Sequence, residues 1–121
     1  ALAYPLGGHF HIPHGLSNAL VLLPVLRINS RVVFEQYSEL LECFDSGYED
    51  QTSVSRAETF IDEMEKIIDD VELPRKLSDL DIGEQDLPLL ARDAMLQQRL
   101  LVNNPIDIRE KDALAIYQSV F

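Results

Sequence analysis

Val54-Ser-Arg-Ala-Glu-Thr-Phe-Ile-Asp-Glu-Met-Glu-Lys-Ile-Ile-Asp-Asp-Val71 decides the fold class. Its apolar residues are Val54, Ala57, Phe60, Ile61, Met64, Ile67, Ile68 and Val71, separated by 3, 3, 1, 3, 3, 1 and 3 positions. That is the stripe of an amphipathic helix and not the alternation of a strand. Thr52 and Ser53 stand before it as capping residues.

The same spacing recurs on both sides. Val33, Tyr37, Leu40, Leu41 and Phe44 form a second stripe, with Asp45-Ser46-Gly47 as its stop. Ala19 to Leu26 reads as a buried core helix, opened upstream by Pro13 and His14, where a missing N–H costs nothing. Leu87, Leu90, Ala91, Ala94, Met95, Gln98 and Leu101 form another stripe, ended before Pro105, which disfavours the helical region in the residue preceding it. Asp107 with Glu110 reads as a capping-box start for a last helix through Ala113, Leu114 and Tyr117. A short extra turn fits Arg75 to Leu80. No run alternates like a strand between hairpin turns. The expectation is an all-α, bundle-like single domain over residues 1–121, with about five main helices.

At 121 residues the chain can bury a core without disulfides or structural metal. With 46% hydrophobic and 26% charged residues it reads as globular rather than disordered. The net charge of −11 and the lack of a basic cluster exclude nucleic acid as a partner. The Ala19–Leu26 run, interrupted by Pro24, is too short for a membrane span. The single cysteine, Cys43, fits a reducing cytoplasm and reads as an inert core residue. Glu58, Asp62, Glu65 and Asp69 read as a solvated helix face.

Charge is unevenly placed. Residues 1–34 carry only Arg27 and Arg31, whereas all 21 acids lie from Glu35 onward. An uncharged first quarter predicts burial, either in the centre of this domain or against a partner. That quarter also holds all three histidines, His9, His11 and His14, with three of the five glycines. Imidazoles suit zinc and iron, so the three together are a metal candidate, set against histidines that only cap or pack a turn. Gly7-Gly8 reads as a tight turn. His14, between Pro13 and Gly15 at a helix start, stands in the most constrained position.

The segment Leu2-Ala-Tyr-Pro-Leu-Gly-Gly-His-Phe-His-Ile-Pro-His-Gly-Leu-Ser-Asn-Ala-Leu20 resembles the second signature region of the iron-containing alcohol dehydrogenases, roughly H-x-x-A-x-P-L-G-x-x-x-x-x-P-H-G-x-x-N-A. Leu100 to Arg109, then Asp112 to Tyr117, resemble that family's C-terminal end. The resemblance implies a two-domain enzyme with an N-terminal NAD(P)-binding α/β domain and an all-helical C-terminal domain, which this chain would be. It implies a divalent metal, iron or in some members zinc, held between the domains by one aspartate and three histidines, with His14 the last ligand. The preceding histidine would fall immediately before Ala1, so the chain would hold one ligand of four and would be inactive alone. The missing initiator methionine fits an excised domain.

The implied reaction is hydride transfer between an alcohol or aldehyde and NAD or NADP. Two departures from the family pattern stand out. Tyr4 replaces a histidine proposed to relay a proton, which makes Tyr4 a relay or pocket candidate. Leu22-Leu23-Pro24 replaces a common Leu-Pro-His, which moves a helix irregularity. Three alternatives stay open: a free-standing helical interaction module, a small protein binding metal through His9, His11 and His14, and a maleylacetate-reductase-like member of the same family. Homo-oligomerisation is left open.

Overall fold

The computed structural model describes residues 1–44 and 51–121, and among them there is helix and turn but no strand. The helices are α1 (Ala3–Phe10), α2 (His14–Leu40), α3 (Ser53–Asp70), α4 (Leu87–Ala94), α5 (Gln98–Leu101) and α6 (Glu110–Ser119). The all-α expectation holds. The Asp45-Ser46-Gly47 stop lies outside the described residues.

Where local chemistry is strong, sequence and structure agree. Thr52 caps α3, its hydroxyl accepting from the Ser55 N–H at 3.2 Å. Leu77–Leu80 forms the short extra turn as a 3₁₀ segment. Elsewhere tertiary packing redraws the boundaries. Residues 3–10, with Pro5, Gly7 and Gly8, form α1 instead of a turn. Its buried Ala3, Pro5 and Leu6 repay the poor helix propensity, and a proline is tolerated in the first turn. The two helices expected between 13 and 44 follow one another within α2, the first running through Pro24 and the second beginning after a kink. The irregularity falls at Val33, whose backbone (φ −118°, ψ 30°) leaves the helical region.

The stripe from Leu87 to Leu101 also breaks. Gln97 leaves the helix at ψ 48°. The bend lets Met95 and Leu101 both pack on the core, with Leu96 left 74% exposed. At α6 the cap sits two residues later than expected. Ile108 is buried immediately before the helix, and this anchor sets a register in which the Asp112 carboxylate accepts from the Arg109 N–H at 3.0 Å.

Two apolar clusters share α2 as a spine of roughly 40 Å. Its first half packs with α1, α4 and α6 around Leu6, Leu87, Leu90, Ala94, Ile116 and Tyr117. Further along, Leu23, Leu41, Phe60, Ile61 and Ile68 form the second cluster with α3. There the Tyr37 and Phe44 rings lie 5.5 and 5.9 Å from Phe60. By length and composition the helix over His14–Cys43 is apolar enough to cross a membrane, which the short Ala19–Leu26 run did not suggest. Here it serves as the core helix, with Leu20, Val21 and Leu23 buried against its neighbours. Cys43 is exposed, not in the core, because it falls on the outer side of the 3₁₀ turn that buries Leu41.

The chain's two ends are joined through the larger cluster. Fully buried Tyr117 donates its hydroxyl to the Leu2 carbonyl at 2.7 Å. Replacing it by phenylalanine leaves a buried carbonyl without its donor, so Tyr117→Phe should lose about 1–3 kcal/mol of stability in chemical denaturation. Burial pushes the Tyr117 ionisation well above the ordinary tyrosine value, and the Asp93 carboxylate adds to the rise. Above a pH of about 10 the unfolded chain releases this proton while the native one keeps it. Stability should therefore be level below that pH and fall as pH climbs further. Tyr117→Phe should flatten the fall, leaving the share of Tyr37, whose ionisation burial also raises.

Candidate functional site

The candidate site is built on the connection between α1 and α2. His11 closes α1 in the left-handed region at φ 55°. Its N–H donates to the Gly7 carbonyl at 3.1 Å, and the Ile12 N–H to the Leu6 carbonyl at 3.4 Å. The His11 bond, to the carbonyl four residues back, is that of the left-handed helix stop, and Ile12 and Leu6 meet in the core beside it. Ser17, fully buried, then secures the next turn. Its hydroxyl donates to the Ile12 carbonyl at 3.3 Å, and its N–H to the Pro13 carbonyl at 2.9 Å.

These bonds place His14 as the first residue of α2, exposed, with Pro13 before it. The Tyr4 ring stands edge-on to the His14 imidazole, with centroids 6.1 Å apart. Tyr4 is itself 43% exposed, so both residues lie at the surface. Among the described residues His14 has no side-chain hydrogen-bond partner. A Cβ at Gly15 would meet nothing within 4 Å, so close backbone packing inside this segment does not explain that glycine.

The other two histidines are engaged elsewhere. His9 Nε2 lies 2.6 Å from Asp93 Oδ2 and ties α1 to α4. His11 is the helix stop just described. Among the described residues no three histidine, cysteine, aspartate or glutamate side chains converge on one point. His9, His11 and His14 therefore do not make a site together. An exposed imidazole on a rigid helix start fits one position in a metal's ligand set, and it needs further ligands from elsewhere. The acids of α3 are partly neutralised. Glu65 accepts from Arg27 at 2.7 Å and Arg75 at 2.9 Å, and Asp69 pairs with Arg75.

Beside the His14 turn lies an apolar cleft of about 320 Å³. Ala1, Leu2 and Ala3 form one wall, Asn18, Val21, Leu22 and Val25 of α2 a second, and Leu100, Leu101, Asn104 and Ile108 a third. At 100° per residue His14 falls on the same face of α2 as those four residues, one turn ahead of Asn18. Sequence reading did not find this cleft. Its third wall comes from the far end of the chain, and only the apolar character of Leu100 and Leu101 hinted at it. A larger cavity, about 470 Å³, lies on the opposite face of α2 between Leu20, Arg27, Glu65 and Phe121, away from His14.

Residues 1–121 match the family model described as the C-terminal part of the Fe-containing alcohol dehydrogenase family. The chain is 35% identical over its full length to long-chain-alcohol dehydrogenase 1 of Geobacillus thermodenitrificans, and 30% identical to 1,3-propanediol dehydrogenase of Citrobacter freundii. It covers 31% of each of those proteins. A solved 1,3-propanediol oxidoreductase superimposes with a TM-score of 0.92 at 29% identity, over 99% of this chain and 31% of that one. An alcohol dehydrogenase from Oenococcus oeni superimposes at 0.90 with 27% identity.

The assignment of His11 to the backbone turn has a direct check. Glycine adopts the left-handed conformation without the Cβ penalty of about 1 kcal/mol, so His11→Gly should hold or raise the melting temperature. A large loss of stability would instead show that the imidazole itself carries contacts that matter.

Proposed function

Because the chain belongs to the iron-containing alcohol dehydrogenase family, as the all-helical C-terminal part that its family model describes, we propose that the polypeptide carrying it transfers a hydride reversibly between an alcohol and NAD(P), with His14 as one ligand of a divalent metal. When bound, that metal, iron or zinc, supplies a positive charge that polarises the alcohol oxygen. The observation that carries the reading is the turn itself. The residues most specific to the family signature, Pro5-Leu6-Gly7 and Pro13-His14-Gly15, flank Tyr4 and His14, which stand ring to ring one helical turn before Asn18 in the wall of an apolar cleft.

Each group of this chain has a role in that reading. His14 is held by the Ser17 and Ile12 bonds, so its imidazole is positioned by backbone and not by a flexible loop. Preorganisation of this kind is what a metal ligand needs. Tyr4, one ring away, has a hydroxyl that can accept and pass on the alcohol proton as a hydrogen-bonded relay. Val21, Leu22, Val25 and Leu101 exclude water from the alcohol's hydrocarbon part, which binds by apolar burial.

The remaining ligands and the NAD(P) contacts belong, in this proposal, to the rest of the polypeptide, since the relatives are about three times as long as the matched segment. Residues 1–121 are then one helical domain, inactive in isolation because one imidazole does not hold a divalent ion against water.

The decisive experiment is His14→Ala in the full-length polypeptide. Loss of a metal ligand should reduce bound metal and lower kcat/KM for an alcohol by about three orders of magnitude, equivalent to several kcal/mol. Because His14 is exposed, circular dichroism and melting temperature should change little. Wild-type turnover and metal content in the variant would refute the proposal.

A further inference from the structure

We propose that the amide pair Asn29–Asn104 is the end stop of the cleft beside His14 and limits the length of the aliphatic chain that the cleft accepts, an inference that rests on the alcohol reading above. The argument begins with the helix. His14, Asn18, Val21, Leu22, Val25 and Asn29 all fall within about 100° of one another around α2. They form a track that starts at the candidate ligand, passes through an apolar stretch and ends at an amide. From Asn18 to Asn29 the track rises roughly 16 Å.

At its far end the two amides close on each other. Asn29 Nδ2 donates to Asn104 Oδ1 at 2.8 Å, and Asn104 Nδ2 donates back to Asn29 Oδ1 at 2.8 Å. The second N–H of Asn104 donates to the Ile106 carbonyl, also at 2.8 Å. Asn29 is only 5% exposed, and Asn104 itself lines the cleft. The reciprocal pair fixes both amides, and the third bond fixes the backbone between α5 and α6 that carries the third wall.

A hydrocarbon chain that reaches this point meets satisfied amides where it needs apolar surface. To advance further it must break hydrogen bonds of the buried Asn29 and the half-buried Asn104, and a methyl group offers none in return. Alcohols short enough to end against Val21 and Val25 avoid that penalty, whereas longer ones incur it. Asn29 touches no part of the cleft itself. It is a positioning residue that holds Asn104 across the end.

The test compares 1-octanol, which is shorter than the track, with 1-hexadecanol, which outruns it, in the full-length polypeptide supplied with its metal and NAD(P). The proteins are wild type, Asn104→Ala and the double variant Asn29→Ala/Asn104→Ala, which leaves no lone amide buried. Removal of the stop should raise the ratio of kcat/KM for 1-hexadecanol over 1-octanol about tenfold, the scale on which apolar pockets discriminate chain length. A lower folded fraction reduces both values equally and cancels in the ratio, so a merely structural role leaves the ratio unchanged and overturns the inference. If the wild type oxidises neither alcohol, the alcohol reading fails separately. Binding of 1-hexadecanol by saturation-transfer NMR then decides: tighter binding in the variants supports the stop, and equal or weaker binding overturns it.

Discussion

The hydroxyl of Tyr117 on the carbonyl of Leu2 is the constraint on which the rest of this structure depends. It joins residues 115 positions apart in the buried interior, where an unmade bond would be costly. The bond fixes the start of α1 against α6. Once α1 is fixed, Leu6 and Ile12 fall into the core and the left-handed helix stop at His11 follows. His14 is then delivered to the surface at a defined angle. A site on the first fourteen residues is thus held by the last helix, and the His9–Asp93 contact supplies a second tie, to α4.

The long second helix organises the remainder. One face of α2 carries His14 and the cleft track, and the other lines the larger cavity with Arg27. It serves both apolar clusters, with Leu20 and Val21 in one and Leu23 in the other, and its backbone breaks at Val33. Pro24 costs the helix one backbone bond but does not stop it, because packing on both sides outweighs a local loss.

Much of the fold was legible in the residues because it is local. The α3 stripe, the Thr52 cap and the turn at 77–80 depend on spacing and on side chains a few positions apart. The elements misread are those whose determinants are distant. Pro5 and Gly7-Gly8 argue for a turn until Ala3, Pro5 and Leu6 are seen buried. The cap of α6 moved to Arg109 because Ile108 is anchored in the core. Cys43 reads as an inert core residue, yet it is exposed at the 3₁₀ turn that buries Leu41.

By itself, the sequence determined the helical class, the helix starts with strong caps, and the singling out of His14 and Tyr4. Period and motif are properties of neighbours along the chain. Only the tertiary structure decided that His9 and His11 serve packing and turn while His14 stands free beside Tyr4. The cleft and its closing amide pair also belong to tertiary structure alone, since Asn29 and Asn104 are 75 residues apart. No local rule encodes such a pairing. It arises because the buried Asn29 and the half-buried Asn104, once the helices are packed, each offer the donor and the acceptor that the other needs.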